Sequence, residues 1–262
     1  MIQSVDISHI VIGPFTISVY GALIGLGFLI AYGVTIFLAR RTTLIAEAHI
    51  DPALLWIMIQ AIASARALFV LYHLDYFFIH PEEIVAVWRG GWVFHGALAG
   101  GILGLWAYCK RSGLSLLAIL DLIAPGVALG QAIGRWGNFF NQEAYGLPTD
   151  VPWALTIDPS RRLPGYEQFA TFHPTFLYES IVDVGLFVLL SAVLLKWRNV
   201  HGGIFFLYLL LYSLGRFGIE FLRIDLVPVF ASLRAPQWIS LGFAVIGCFG
   251  LWHLHKQKKV IY

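Results

Sequence analysis

Charge is scarce in this chain. Only 12% of its 262 residues are Asp, Glu, Lys or Arg, where a soluble domain carries about 25%. With 59% hydrophobic residues and a mean hydropathy of +0.78, it cannot cover itself with a polar surface. An ordinary water-soluble domain is excluded, and an integral membrane protein takes its place. Cysteine is scarce as well. Cys109 and Cys248 stand outside any CxxC or Cys/His cluster, so neither a zinc site nor a disulfide framework is indicated. No metal and no cofactor is expected. The basic residues are dispersed beside hydrophobic runs, which argues against nucleic-acid binding. The N-terminal MIQSVDISHIVIGPF lacks a basic n-region and a clear small-residue cleavage site; it reads as mature chain, not as a signal peptide. No internal repeat is evident, which weakens an inverted-repeat transporter.

What is present is a series of long apolar runs. A spanning helix needs roughly 20 mostly apolar residues. Seven segments answer to this, about 17–39, 52–74, 92–108, 115–134, 175–195, 203–222 and 237–254. Apolar residues cover nearly every face, which favours spans over amphipathic surface helices. The expected fold class is therefore an all-α integral membrane protein, a bundle of seven transmembrane helices forming one polytopic domain over residues 1–262. Lysine and arginine set the orientation. Arg40, Arg41, Lys110, Arg111, Lys196, Arg198, Lys256, Lys258 and Lys259 follow the odd-numbered spans. The N-terminus is then outside and the C-terminus cytoplasmic. A long outer-side loop, about 135–174, joins spans four and five. Glycines four apart (Gly96, Gly100 and Gly104; Gly126, Gly130 and Gly134; Gly21 and Gly25) form stripes on which helix backbones can approach closely.

Ionisable residues inside a membrane are costly and face a bundle interior or a watery cavity. Arg216, Glu220 and Arg223 share one face of span six by their spacing. A plain Arg216–Glu220 pair would leave positive charge over. Arg135, Asn138, Asn141 and Glu143 follow the outer end of span four, in GRWGNFFNQEAYG. His95 begins span three, and Tyr20 lies near the outer end of span one, where a lone tyrosine is ordinarily an aromatic-belt residue. Arg66, deep in span two, calls for a carboxylate partner, Asp121 or Asp183. With the orientation above, Tyr20, His95, Arg135, Asn138, Glu143 and Arg216 all fall in the outer half of the bilayer. Two arginines at headgroup depth can hold a phosphate through forked, charge-assisted hydrogen bonds. A neighbouring histidine could move a proton near neutral pH. The set suits a phospholipid headgroup as substrate. A flippase would use the same arginines without chemistry, but it needs a route to the cytoplasmic side. A scaffold has no need for these groups at one depth.

These residues also carry a family resemblance. Gly134-Arg135-Trp136-Gly137-Asn138-Phe139-Phe140-Asn141-Gln142-Glu143, ending at Gly146, resembles the signature of the prolipoprotein diacylglyceryl transferases. Tyr20-Gly21, Ala65-Arg66, Gly90-Gly91-Trp92-Val93-Phe94-His95-Gly96, Asp121 and Pro125, His173-Pro174-Thr175-Phe176-Leu177-Tyr178-Glu179 and Arg216-Phe217-Gly218-Ile219-Glu220-Phe221-Leu222-Arg223 occur in the matching order. The resemblance covers nearly the whole chain. It implies transfer of the diacylglyceryl group of phosphatidylglycerol to the lipobox cysteine of a preprolipoprotein, in the bacterial plasma membrane with the site toward the outer leaflet. The substrate then brings the thiol, and glycerol phosphate leaves. The family's essential positions fall on Tyr20, His95, Arg135, Asn138, Glu143, Gly146, Arg216 and Glu220. Arg135 and Arg216 are the expected phosphate ligands, with Asn138, Gly146 and Glu220 beside the headgroup. His95 is a candidate base, helped by Tyr20. Glu143 is expected to orient Arg135 or the loop. An arginine-lowered thiol pKa is the alternative to a protein base. Ser64, Ala97 and Phe176 depart from the family pattern, at packing positions.

Overall fold

The computed structural model describes residues 2–3, 9–12, 15–42, 44–86, 90–196 and 201–260; Arg198, one of the flanking cations, lies outside them. Among the described residues, six helices are long and apolar enough to cross a membrane. They are α1 (Val19–Thr42), α2 (Ile50–Tyr72), α5 (Leu116–Asn141), α6 (Thr175–Lys196), α7 (Gly203–Glu220) and α8 (Ala235–Val260). Large apolar side chains such as Leu29, Val188 and Phe249 point outward from them. Such a surface suits lipid and is rare in water. The third expected span forms α4 (Phe94–Ser112), also a helix. It stands outside the six because His95, four glycines, Lys110 and Arg111 dilute its apolar character. A short α3 (Leu74–Ile79) follows α2.

The chain divides into two compact units, Thr43–Ile119 on one side and Met1–Thr42 with Leu120–Tyr262 on the other. In the smaller unit α4 lies on α2 through its glycine stripe. A Cβ on Gly96 would sit 2.6 Å from the Ser64 carbonyl, and one on Gly104 would sit 2.7 Å from Gln60 Cβ. Ser64, where the family pattern differs, lies in this contact against Gly100. Arg66 corrects an expectation. Its partners are main-chain carbonyls: Nε donates to Ile84 at 2.9 Å, one terminal nitrogen to Gly90 at 2.7 Å and Gly91 at 3.2 Å, the other to Glu83 at 2.6 Å. Phe69 and Phe77 flank the guanidinium, with ring centroids 5.5 and 5.3 Å away. A guanidinium has five donors in a rigid fork, and carbonyls at the end of a turn satisfy them without a second buried charge.

In the larger unit α1 and α5 meet backbone to backbone. A Cβ on Gly27 would lie 2.8 Å from the Gly130 carbonyl, and one on Gly126 would lie 2.7 Å from the Ala31 carbonyl. The α5 stripe is thus at the contact. On α1 the glycine that meets it is Gly27, not the expected Gly21 and Gly25; Gly25 faces open space. Asp121, buried in α5, accepts the backbone N–H groups of Gly202 at 2.5 Å and Phe205 at 2.8 Å. Its carboxylate caps the start of α7, where donors have no partner of their own. Ser180 of α6 donates to the Ala132 carbonyl at 2.9 Å, which pins α6 to α5.

Helix α5 runs to Asn141, so Arg135 and Asn138 stand on its last two turns and not in the following loop. Beyond it a small cap forms. Strand β1 (Ile2–Gln3) pairs in parallel with β4 (Leu155–Thr156), which pairs antiparallel with β5 (Thr171–Phe172). Two hairpins, β2 (His9–Ile12) with β3 (Phe15–Ser18) and β6 (Val229–Phe230) with β7 (Leu233–Arg234), complete the strands. Phe139, Tyr145, Leu155, Ile157, Phe172, Phe176 and Ile224 make the core under the cap. Phe176 is 2% exposed and packs 5.3 Å from the Phe139 ring. The departure from the family pattern there falls in an aromatic core.

Candidate functional site

The C-terminal ends of α5 and α7 and the N-terminal end of α6 bring charge together inside the larger unit. Glu179, 4% exposed, is shared by three arginines. Arg135 Nε lies 3.0 Å from one carboxylate oxygen, and the other oxygen accepts from Arg216 at 2.7 Å and Arg223 at 3.4 Å. Arg216 reaches Glu220 with its second terminal nitrogen at 2.7 Å. This is the i, i+4 pair read from spacing. Glu220, 1% exposed, also pairs with Arg234 Nε at 2.8 Å. Arg223 Nε is 2.7 Å from Asp225. Arg234 closes the group by donating to the carbonyls of Arg223 and Asp225.

The surplus cation expected on span six is therefore balanced from other elements. Charge bookkeeping could have found Glu179: it is the carboxylate nearest the N-terminal end of span five. Arg234 and Tyr212 escaped the sequence reading too. Tyr212 Oη lies 3.4 Å from Arg135 and stacks on Tyr208, which donates to Gln131 at 2.8 Å. Arg135, Glu179, Asp183, Tyr212 and Arg216 line a cleft of about 10 Å³, room for roughly one water.

The remaining residues of the signature fix the backbone around this cluster. Asn138 and Asn141 donate to one oxygen of Glu143 at 3.0 and 3.3 Å. Glu143 thus holds the end of α5. The helix ends through Gln142, at φ 51°, whose amide pairs twice with Asp158, at 3.1 and 2.9 Å. Gly137, between Arg135 and Asn138, has the Tyr20 ring directly on its Cα, where a Cβ would collide. Gly146 donates to the His173 carbonyl at 2.9 Å and bridges to Arg223. A Cβ there would lie 2.7 Å from the Leu222 carbonyl and 2.9 Å from Thr175 Cγ2. Its N–H is used inside the fold, and its role in the geometry is close packing. His95 belongs to the smaller unit, exposed in the first turn of α4. Tyr145, in the cap, donates to the Arg161 carbonyl at 2.9 Å and accepts from the Leu163 N–H at 2.7 Å. Burial pushes its phenol above the ordinary value.

Apolar helices carrying an arginine–carboxylate cluster where their ends converge define a multi-pass helical membrane protein with a built polar centre. The prolipoprotein diacylglyceryl transferase family matches residues 8–253, and the chain belongs to that family. It is 44% identical over 249 residues to the phosphatidylglycerol–prolipoprotein diacylglyceryl transferase of Gloeobacter violaceus, covering 94% of this chain and 92% of that one. The enzyme of the same name from Trichormus variabilis is 43% identical over 253 residues, 95% and 89% of the two chains. That of Fervidobacterium nodosum is 40% identical over 239 residues, 90% and 80%.

Proposed function

We infer that this chain transfers the diacylglyceryl group of phosphatidylglycerol to prolipoprotein in lipoprotein maturation. The observation that carries the chemistry is the convergence of Arg135 and Arg216, from two helices, on one buried carboxylate. Their guanidinium groups meet across a contact that the Glu179 carboxylate fills. In the proposed reaction the sulfur of the lipobox cysteine attacks the glyceryl carbon that bears the phosphate. The carbon–oxygen bond breaks, its electron pair stays on the phosphate, and glycerol phosphate leaves as the thioether forms. The leaving group gains a negative charge, so preorganised cations at the phosphate lower the barrier most directly. Arg135 and Arg216 supply them. Glu220 holds Arg216, and Asn138, Glu143 and Gly146 hold the backbone from which the arginines project. His95 is proposed as acceptor of the thiol proton, helped by Tyr20. The substrate's own cysteine serves as nucleophile.

The topology proposed with this reading has seven spans, α4 being the one outside the six most apolar helices. The N-terminus is outside and the C-terminus cytoplasmic, with the cluster in the outer half of the plasma membrane and the cap over it. Arg40, Arg41, Lys110, Arg111, Lys196 and Lys256 support this orientation, since they end alternate spans.

The test is direct. Purified protein is given phosphatidylglycerol and a lipobox peptide, and the thioether product is sought by mass. A folded preparation that yields none overturns the reaction. Full activity in Arg135→Ala and Arg216→Ala overturns the phosphate assignment. An unchanged pH–rate profile in His95→Ala removes His95 as base.

A further inference from the structure

Glu179 fills the position between Arg135 and Arg216, the two arginines proposed to hold the phosphate. One of its oxygens meets Arg135 and the other meets Arg216, the same bridging geometry that two non-bridging phosphate oxygens would make. The cleft between these groups has about 10 Å³, enough for a water and too little for a phosphate. An anion cannot enter the position between the two arginines while Glu179 fills it. Two anions at contact distance also repel. Something in the lining must yield, and the pattern of ion pairs says which group can.

Each arginine has a second partner that does not depend on Glu179. Arg216 keeps Glu220 at 2.7 Å, Arg223 keeps Asp225 at 2.7 Å, and Arg135 keeps Tyr212 at 3.4 Å. Releasing Glu179 therefore leaves no guanidinium alone. Glu179 in turn has somewhere to go. Arg223, already 3.4 Å away, is the most enclosed of the three, with a side chain 10% exposed against 23% for Arg135 and 17% for Arg216. A carboxylate that shifts toward Arg223 frees the two more open arginines and keeps a countercharge inside. The Glu220 layer behaves differently: that carboxylate is gripped between Arg216 and Arg234, and Arg234 is itself tied to two carbonyls.

We propose that Glu179 is the resident counter-ion of the site, holding Arg135 and Arg216 when no phosphate is bound, yielding them to the substrate phosphate and displacing glycerol phosphate after transfer. It is a positioning residue, acting through the two arginines. The proposal rests on the reading of Arg135 and Arg216 as phosphate ligands. It explains why the site places an acid, and not only cations, where an anion must bind. Without an internal competitor, two desolvated arginines would hold a phosphate product tightly and slow its release.

The experiment compares the wild type with Glu179→Gln in detergent, using glycerol phosphate and inorganic phosphate as probes. The inhibition constant for glycerol phosphate is expected to fall at least tenfold in Glu179→Gln. KM for phosphatidylglycerol falls with it, and kcat falls because product leaves slowly. Phosphate should raise the thermal midpoint of the variant and barely move that of the wild type. An inhibition constant equal to or above the wild-type value in folded Glu179→Gln overturns the proposal and makes Glu179 a fixed strut. If Glu179→Gln folds only with phosphate present, the proposal is supported. If it folds in neither condition, Glu179→Asp takes its place: its shorter arm should lower the inhibition constant several-fold, and no change overturns the proposal. The two failures are distinguishable. Glycerol phosphate that inhibits the wild type but not Arg216→Ala, with Glu179→Gln unchanged, sinks only the counter-ion. A wild type indifferent to both phosphates, with Arg216→Ala active, sinks the phosphate reading itself.

Discussion

Arg66 in the smaller unit and the pair Arg135–Arg216 in the larger one are guanidinium groups set among apolar helices, and they are held in opposite ways. Arg66 gives four hydrogen bonds to the carbonyls of Glu83, Ile84, Gly90 and Gly91, and aromatic rings flank it. Those acceptors are main chain and cannot rotate away as a side chain can. Arg135 and Arg216 are held by the carboxylates of Glu179 and Glu220 and by the Tyr212 hydroxyl. Side chains can rotate away, and a carboxylate can be exchanged for another anion. The first arrangement makes a fastener, and the second is the kind that the proposed phosphate site requires. An arginine deep in an apolar helix is a functional candidate by default; its acceptors decide whether the default applies.

The largest effect should come from the exchangeable pair. Arg216→Ala and Arg135→Ala are expected to lower product formation by about 100- to 1,000-fold, the usual cost of losing a charge stabiliser in the transition state. Lysine at either position restores charge without the fork, so it should recover only part of the rate. Mass-detected turnover of folded protein checks both. Arg66→Met should behave in the reverse sense. It leaves four carbonyls without their donor and is expected to cost about 2–4 kcal/mol of stability. Thermal melting and limited proteolysis in detergent read this. The fraction that stays folded should turn over nearly normally. A large loss of rate in fully folded Arg66→Met would break the contrast between the two sites.

Much of this was legible in the sequence, and the exceptions have reasons. The apolar runs gave the helices because length and hydropathy are local properties. The signature around Arg135 and the spacing of Arg216 and Glu220 pointed to the cluster because i, i+4 geometry is local as well. Arg66 was assigned a carboxylate because a buried cation is expected to find an anion, but four carbonyls near Gly90 and Gly91 do the work, and a backbone acceptor leaves no trace in residue type. Asp121 was considered for that pairing and instead caps α7, some eighty residues along the chain. Glu179 stood inside a quoted motif without being singled out. Its role depends on three arginines from elsewhere in the chain, and only the fold brings them to it. Gly25 fitted the spacing rule but Gly27, outside it, makes the contact, since a spacing pattern does not say which residue of a helix meets a neighbour.

A smaller effect tests how firmly the cap holds the cluster. Gly146→Ala places a methyl group against the Leu222 carbonyl, Thr175 and His173. Two of these contacts are backbone or near-backbone and cannot rotate away. A cost of about 1–3 kcal/mol is expected from overpacking, with a moderate loss of rate because Gly146 bridges to Arg223. The melting midpoint and the rate should fall together. A lost rate with an unmoved midpoint would instead assign Gly146 to the substrate.

The smallest effect separates the cap from the chemistry. Tyr145 is 2% exposed, and its hydroxyl both donates to Arg161 and accepts from Leu163. Tyr145→Phe removes a donor and an acceptor at once and should cost about 1–2 kcal/mol. The pH dependence sharpens it. Burial raises the folded phenol above its ordinary value, outweighing the Leu163 N–H, which favours the phenolate. A group raised in the folded state stabilises fully below its unfolded value, about 10, and loses that contribution as pH rises through the folded one. The cap should therefore loosen on the alkaline side of pH 10, and Tyr145→Phe should lack that step while being less stable at neutral pH. Proteolysis between residues 145 and 170 across pH 8–11 would follow it. Because Tyr145 touches neither Arg135 nor Arg216, KM for phosphatidylglycerol should stay unchanged at neutral pH, so a shifted KM would tie the cap to lipid binding itself.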